Sequence, residues 1–190
     1  MFAFKKKYLL IIESIKDINL KNIKKRNKFI IIYRNNKYLK EEKALLKFRK
    51  NCKIKAIAFY VANDLNLAIN LNSDGVYLSS YNKSFKALTL VRSDFSIIGS
   101  AHSQREIAMK IKQGCSLILL SKLFLVKYNQ KAGFLGVVKF NNFLKLNKNL
   151  IPLGGINLDN LNHLNNIASI GLALKSEIKK KPANIINRLF

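Results

Sequence analysis

Eight short apolar runs, separated by helical patterns, predict that residues 1–190 fold as one compact domain, a (β/α)8 TIM barrel. The runs are rich in β-branched residues, and most of them start 20 to 26 residues after the previous one, the length of one strand and one short helix. Several runs are apolar throughout, which is typical of parallel strands covered on both faces. An open, doubly wound sheet is the alternative architecture for this pattern.

The same pattern gives the order of the elements. The predicted strands are Tyr8–Ile12, Phe29–Tyr33, Lys55–Val61, Gly75–Leu78, Ser96–Gly99, Leu117–Leu120, Leu150–Gly154 and Ile170–Leu174. The predicted helices are Glu41–Lys50, Asp64–Leu71, Gln104–Lys112, Leu135–Leu146 and Leu158–Ile167. Because the chain is slightly shorter than the usual lower bound of ~200 residues for this fold, some of the helices must be short.

The chain is strongly basic, with 35 Lys and Arg residues against 10 Asp and Glu residues and a net charge of +25. This charge favours anionic ligands and predicts nonspecific binding to polyanions, so a basic nucleic-acid-binding protein is one functional alternative. The lysines are spread along the whole chain, however, and the densest patch, residues 21–28, also fits a solvated helix end.

No apolar run approaches the ~20 residues that span a bilayer, and Glu13 ends the first run before it reaches the length of a signal-peptide core. We therefore expect a cytoplasmic protein that does not bind membranes. Cys52 and Cys115 lack the spacing of metal ligands and are expected to be inert packing residues.

The strongest binding signal is the turn Gly154-Gly155-Ile156, which follows the seventh predicted strand. Two glycines allow positive φ and a close approach of the backbone to a ligand. Asn157 is a suitable N-cap for a helix that begins near Leu158, and a helix start offers unpaired N–H groups to an anion. In barrels, the loops after strands seven and eight commonly hold a phosphate, and Lys175 and Ser176 follow the eighth strand. The sequence therefore predicts a phosphate site here, and a glycine turn with a plain cap is the alternative.

Other polar residues follow the carboxyl ends of predicted strands, where barrels place their binding and catalytic groups. Arg34 ends the second strand and is either a substrate contact or a solvent-facing side chain. Asp64 is either a Mg²⁺ ligand or the N-cap of the next helix. After the fifth strand, His102 is either an acid–base group or a solvated loop residue, and Ser100 lies two residues before it. The polar loop Lys127–Gly133 after the sixth strand is either a binding loop or a plain connection.

Several segments also carry longer motifs in a fixed order. Residues 62–76, which include Ala62-Asn63-Asp64, are similar to the pattern NDxxxLAxxxxADGVHLG, and residues 98–114 are similar to GxSxHSxEEA…GADY. Residues 151–156 and 171–178 are similar to IPVxxIGGI and GVAVxSAI. From about Phe29 to Pro182, the chain thereby resembles the family of thiamine phosphate synthases and their TenI-type relatives.

The resemblance implies a barrel that, in the synthases, joins a hydroxymethylpyrimidine diphosphate to a thiazole phosphate with Mg²⁺ and releases pyrophosphate. A TenI-like thiazole tautomerase, and a degenerate barrel that only binds a thiazole phosphate or thiamine phosphate, are the alternatives. The implied roles are phosphate binding for Gly154, Gly155, Ile156, Lys175 and Ser176, heterocycle binding for Arg34 and Asn63, Mg²⁺ binding for Asp64 if the synthase reaction is retained, and proton transfer for His102 with Ser100.

Departures from the family pattern concern the diphosphate half of the site. Where the family has Gln-x-Arg-x-Lys, only Arg34 remains; the second Mg²⁺ carboxylate falls at or near Asn82, and the family histidine falls at Tyr77. The threonines and the lysine of the loop GPxxxTxTK are absent, although Lys127 and Lys131 are near. Because one missing charge-stabilising group costs about 10²–10³ in rate, these departures argue against a fast synthase and fit a tautomerase somewhat better.

Overall fold

The backbone closes into an eight-stranded parallel barrel. The computed structural model describes residues 7–23, 27–35, 42–91, 94–126 and 133–175. Its strands pair in chain order, and the first strand pairs in turn with the eighth, where Leu10 lies opposite Leu174. They are β1 Lys7–Ile12, β2 Phe29–Tyr33, β3 Ala58–Ala62, β4 Gly75–Leu78, β5 Ser96–Ala101, β6 Cys115–Ser121, β7 Leu150–Leu153 and β8 Gly171–Leu174. The predicted barrel is confirmed, and ring closure excludes the open sheet.

Four of the predicted helices are present, with small shifts at their ends. They are α1 Glu42–Ile54, α2 Leu65–Asn70, α3 Gln104–Lys112 and α4 Gly136–Leu146. Helix α1 runs one turn further than predicted, because Cys52 in its last turn is fully buried in the core. As a result β3 begins at Ala58 and not at Lys55, after a turn in which Ala56 has φ 53°.

In three connections, the described residues form 3-10 helix in place of an α-helix. These segments are Ile15–Asp17 and Leu20–Asn22 after β1, Lys86–Leu90 after β4, and Leu161–Asn166 after β7. The predicted α-helix Leu158–Ile167 is therefore wrong. The Asn157 side-chain oxygen accepts the backbone N–H groups of Asp159 and Asn160, at 2.9 and 3.1 Å, and this local hydrogen bonding replaces the first turn of a helix.

Alternation along the strands divides the core into two layers. One set of side chains fills the barrel interior, and the other set packs between the strands and the surrounding helices. The buried interior residues are Leu9, Ile11, Ile30, Ile32, Tyr60, Tyr77, Ile98, Leu119, Ile151 and Ala173. The interior is therefore solid, and any ligand has to bind at its rim.

The two cysteines lie in the outer layer of this core. Cys52 and Cys115 are both buried and free, and burial raises the pKa of each thiol to about 12. Among the helices of the described residues, none is long and apolar enough to cross a membrane.

A charged clamp fastens α1 to the amino-terminal end of the barrel. Arg49 is buried, and its guanidinium donates to the Asn72 carbonyl oxygen at 3.0 Å and to the Asp74 carboxylate at 3.1 Å. The second carboxylate oxygen of Asp74 accepts the backbone N–H of Phe59 at 2.7 Å. One carboxylate thus ties the helix to β3 and to the start of β4.

Arg49→Met is expected to destabilise the fold by about 2 kcal/mol, because it removes two charge-assisted hydrogen bonds and leaves the Asn72 carbonyl oxygen without this donor. For a chain of this size the melting temperature should fall by roughly 4–8 °C in calorimetry. Lys50→Met, at the exposed neighbouring position of the same helix, is the control and should leave the melting temperature unchanged. Equal melting temperatures for the two variants would show that the clamp does not stabilise the barrel.

Candidate functional site

The carboxyl ends of all eight strands meet at one rim of the barrel, and most of the predicted site residues lie there. Arg34 follows β2 directly, and its backbone N–H continues the ladder to the Ile12 carbonyl oxygen at 2.8 Å. Ser100 lies near the end of β5 and is buried, and Lys175 is the first residue after β8. We call this rim the mouth.

Tyr77 connects two of the predicted site residues at the floor of the mouth. Burial raises the pKa of its hydroxyl group, while a hydrogen bond with Ser100 and the positive charge of Arg34 act in the opposite direction. The hydroxyl of Tyr81 also lies near enough to raise this pKa. Arg34, Tyr81 and Ser100 thus all act on the Tyr77 hydroxyl above the apolar interior. We call these four residues the Tyr77 group.

Tyr77 is not among the site residues predicted from the sequence, where its position is noted only as a departure from a family histidine. The signal was present in the alternation of β4, where Val76 and Leu78 belong to the outer layer and Tyr77 belongs to the interior. A tyrosine that faces inward near the carboxyl end of a barrel strand is a candidate site residue on that ground alone.

Asn63 joins the end of β3 to the connection after β4. It has φ 60°, and its side-chain oxygen accepts the backbone N–H and the hydroxyl of Ser79 and the amide of Asn82, at 2.9, 3.0 and 3.2 Å. Its amide nitrogen donates to the Tyr81 hydroxyl at 3.2 Å. The oxygen is therefore fully used within the protein, and only the amide nitrogen, with its second N–H, is suited to contact a ligand.

Asp64 is the N-cap of α2. One of its carboxylate oxygens accepts the backbone N–H of Leu67 at 2.9 Å, while the residue as a whole is exposed. In the described parts of the chain, no group of three or more His, Cys, Asp or Glu side chains is placed to hold a metal ion. The structure thus shows the capping role of Asp64, and its second carboxylate oxygen is the one suited to a cation.

His102 lies beyond the buried part of β5. Its ring nitrogen Nδ1 is 3.3 Å from the Glu106 carboxylate, and the two side chains are 52% and 39% exposed. The same carboxylate accepts the backbone N–H of His102 at 2.7 Å, and the Ser103 hydroxyl accepts the backbone N–H of Glu106 at 3.3 Å. His102 is consequently held over the start of α3, whereas Ser100 belongs to the Tyr77 group.

The Gly154-Gly155 turn is held against the segment that follows β6. Both glycines have positive φ, 93° and 73°. A Cβ atom on Gly154 would lie 3.3 Å from Lys122 Cα, and one on Gly155 would collide with the Phe124 carbonyl oxygen. The Gly154 carbonyl oxygen accepts the Phe124 N–H at 3.0 Å. These contacts require glycine at both positions.

Two backbone donors of the same turn have no acceptor among the described residues. Within the described ranges, the N–H groups of Gly155 and Ile156 donate to no protein acceptor. The Asn160 amide holds the Gly155 carbonyl oxygen at 2.7 Å, so the peptide group is fixed in orientation. The predicted helix N-terminus is absent here, so the prediction of an anion site now depends on the backbone of the turn itself.

Lys175 follows the strand next to the one that carries this turn. Strands β7 and β8 pair through Leu153 and Ala173, so the glycine turn and Lys175 leave neighbouring strands at the mouth. The Lys175 ammonium group forms an ion pair with Glu13 at 3.2 Å, and both side chains are about two-fifths exposed, 40% and 41%. Lys175 therefore lies on the strand neighbouring the glycine turn, in an ion pair with a carboxylate.

Ser176 and the lysines at positions 127 and 131 lie outside the described residues, as does most of the loop predicted at 127–133.

Comparisons with known proteins agree with this architecture. The family model described as thiamine monophosphate synthase matches residues 10–178. A thiamine-phosphate synthase of Prochlorococcus marinus subsp. pastoris is 32% identical over 153 residues, which cover 76% of this chain and 43% of that protein. The thiamine-phosphate synthase of Flavobacterium johnsoniae is 31% identical over 140 residues, or 66% of each chain.

This chain spans well under half the length of the Prochlorococcus relatives, 34% in one strain and 43% in another. Among solved structures, a thiamine phosphate pyrophosphorylase from Pyrococcus furiosus superposes with a TM-score of 0.73 at 16% identity, covering 97% of this chain and 96% of the other. This superposition shows the shared fold, while the family match covers most of the sequence. The chain belongs to the thiamine monophosphate synthase family.

Proposed function

We propose that this chain binds a thiazole phosphate or thiamine phosphate across the mouth of the barrel. The observation that carries the proposal is the Gly154-Gly155-Ile156 turn, which follows β7, while Lys175 follows the neighbouring strand β8. Such a combination of fixed backbone donors and one ammonium group suits a phosphate.

The ion pair between Lys175 and Glu13 does not oppose this assignment. Because both side chains are about 40% exposed, their attraction is screened by water and contributes little, as is usual for surface pairs. A phosphate dianion that also accepts backbone N–H groups is the stronger partner for the ammonium group. Lys175 is therefore available to the ligand.

The heterocycle is expected on the other side of the mouth, where Arg34, Asn63 and the Tyr77 group lie. Here the floor is apolar, and the polar atoms are the Arg34 guanidinium, the Asn63 amide nitrogen, and the hydroxyl groups. Apolar walls with a few fixed polar groups are the usual surroundings of a small aromatic ligand.

The reaction we propose is the one that the names of the curated relatives give, the formation of thiamine phosphate. The thiazole nitrogen forms a bond to the methylene carbon of the pyrimidine, and the carbon–oxygen bond to the diphosphate breaks, so that pyrophosphate leaves with the electron pair. Among the described residues, Arg34 offers a positive charge suited to stabilise the negative charge that develops on the leaving diphosphate.

Mg²⁺ would neutralise the leaving diphosphate in this reaction. Mg²⁺ commonly binds to one or two carboxylates together with substrate phosphates. Asp64 suits this role because the residue is exposed and only one of its carboxylate oxygens is used in capping α2. Asn82, at the position of a second carboxylate in the family pattern, donates its amide to Asn63. We therefore expect a slow synthase.

Lys175→Met is expected to weaken thiamine phosphate binding about tenfold or more, because it removes a charge-assisted hydrogen bond to the phosphate. Isothermal titration calorimetry measures this change, and Lys112→Met, an exposed lysine of α3 that lies outside the site, serves as the control. Unchanged affinity in Lys175→Met would exclude the phosphate site at the glycine turn.

Purified protein incubated with Mg²⁺, hydroxymethylpyrimidine diphosphate and thiazole phosphate should form thiamine phosphate, and Asp64→Asn should lower the rate. The product is measured by chromatography after oxidation to a fluorescent thiochrome. If the protein binds thiamine phosphate but forms no product, the proposed synthase activity is wrong, and a barrel that only binds its ligand is favoured.

A second candidate activity is the tautomerisation of a thiazole carboxylate phosphate, which needs no diphosphate and no Mg²⁺. The observation that favours it is the His102–Glu106 pair, in which a carboxylate orients an imidazole close to the strand that carries Ser100. A positioned histidine contributes typically 10²–10⁴-fold to proton transfer. His102→Ala should therefore lower the tautomerisation rate by about 10² or more, measured by NMR on the thiazole tautomer, and an unchanged rate would exclude His102 as the proton-transfer group.

The net charge of +25 further supports nonspecific binding to polyanions. Affinity for a random RNA or DNA oligonucleotide is expected to fall steeply between 50 and 200 mM salt, in roughly the manner of counterion release. Fluorescence anisotropy measures this dependence. Salt-insensitive binding, or binding that thiamine phosphate displaces, would contradict a purely electrostatic origin.

A further inference from the structure

The connection after β4 is unusual because a buried lysine holds it. Residues 79–84, which we call the β4 loop, begin with a turn in which the Asn82 N–H donates to the Ser79 carbonyl oxygen at 3.0 Å. Lys110 of α3 is 0% exposed, and its ammonium group donates hydrogen bonds to this loop.

All three N–H donors of Lys110 are used. They bond to the carbonyl oxygens of Ser79 and Asn82 at 2.7 and 2.8 Å, and to the Gln113 side-chain oxygen at 2.8 Å. The Gln113 amide donates in turn to the Asn82 and Ser84 carbonyl oxygens, at 3.1 and 2.7 Å. The three acceptors of the ammonium group are uncharged, so this contact is a clamp on the loop backbone and not an ion pair.

The strand beside the clamp makes room for it. A Cβ atom at position 99 would lie 2.8 Å from Lys110 Cδ, so Gly99 allows the lysine stem to pass against β5. A buried ammonium group is costly unless its hydrogen bonds are satisfied. Here Lys110 bonds to two carbonyl groups of one short loop, and Gln113 bonds to a third, which fixes the position of the residues that this loop carries.

The residue that the β4 loop presents at the mouth is Tyr81. Its side chain is 66% exposed, while its hydroxyl accepts the Asn63 amide N–H at 3.2 Å. Because Asn63 follows the carboxyl end of β3, this hydrogen bond places the Tyr81 hydroxyl at the same end of the barrel as Arg34, which follows β2. An aromatic ring is thus held at both ends, by its loop and by its hydroxyl, with much of its surface uncovered.

We propose that Tyr81 is a specificity-determining residue that packs its exposed ring against the heteroaromatic ring of the bound substrate, and that Lys110 is the positioning residue that holds Tyr81 in place. This inference rests on the proposed function, because it needs a phosphorylated heteroaromatic ligand at the mouth. An offset stack between aromatic rings is the favoured arrangement for such a contact, and the fixed ring loses little freedom on binding.

The first test compares two ligands that share a phosphate monoester. Tyr81→Ala should weaken binding of thiamine phosphate by about five- to 150-fold, the range expected for loss of one ring–aromatic stack, while binding of glycerol phosphate, which has no ring, should stay the same. Tyr81→Phe keeps the ring and should lose less than about threefold. Because the Tyr81 side chain is exposed, these substitutions leave the core intact.

The second test concerns Lys110. Lys110→Met preserves most of the buried stem and removes the ammonium group, so it should reproduce the ligand preference of Tyr81→Ala, with thiamine phosphate weakened and glycerol phosphate unaffected. Hydrogen exchange followed by mass spectrometry should show faster exchange in residues 79–84 and unchanged exchange in β1 and β8. Lys112→Met, at an exposed position of the same helix, should behave as the wild type in both measurements.

The outcomes distinguish failure of the roles of Tyr81 and Lys110 from failure of the proposed function. If the wild type binds thiamine phosphate and Tyr81→Ala binds it equally well, the stacking role is wrong while the proposed function stands. Equal exchange in residues 79–84 of Lys110→Met and the wild type would overturn the positioning role. If the wild type binds neither ligand, the proposed function fails, and the stacking role fails with it.

Discussion

Ring closure of the sheet is the constraint on which the rest of this structure depends. Each strand is paired on both sides, so alternate side chains must enter one shared interior, and that interior has room for only a few layers. Leucine, isoleucine and two tyrosines fill it completely. Binding groups are therefore restricted to the rim where the strands end, and small differences at the strand ends decide which side chains meet.

The mouth divides into two chemically different halves. On one side the Gly154-Gly155 turn and Lys175 offer backbone donors and an ammonium group, which suit an anion. On the other side tyrosine hydroxyls, Arg34 and Asn63 surround an apolar floor, which suits a ring. A phosphorylated heterocycle matches both halves at once, whereas inorganic phosphate or a plain heterocycle matches only one.

Side chains replace regular helix structure at several places around this barrel. Asn157 and Asn160 shape the connection after β7, and Lys110 with Gln113 shapes the connection after β4. In each case a polar side chain bonds to loop backbone that a full α-helix would have satisfied internally. A chain this short can thus do without a full α-helix in some of its seven strand connections, and hydrogen bonds from these side chains hold the resulting loops in place.

The sequence alone determined the strands and their order and favoured a barrel over an open sheet, because runs of apolar residues at a regular spacing report burial directly; ring closure itself was decided by the tertiary structure. It also located the glycine turn, Arg34, Ser100 and Lys175 at strand ends, because strand ends are visible in the pattern. Only the tertiary structure decided which of these residues meet. The Tyr77 contact with Ser100, the ion pair of Lys175 with Glu13 and the Lys110 clamp all join residues distant in sequence. Such contacts depend on the register between strands and on loop conformation; a local pattern can indicate which face of its strand a side chain lies on, but not which distant residue it meets.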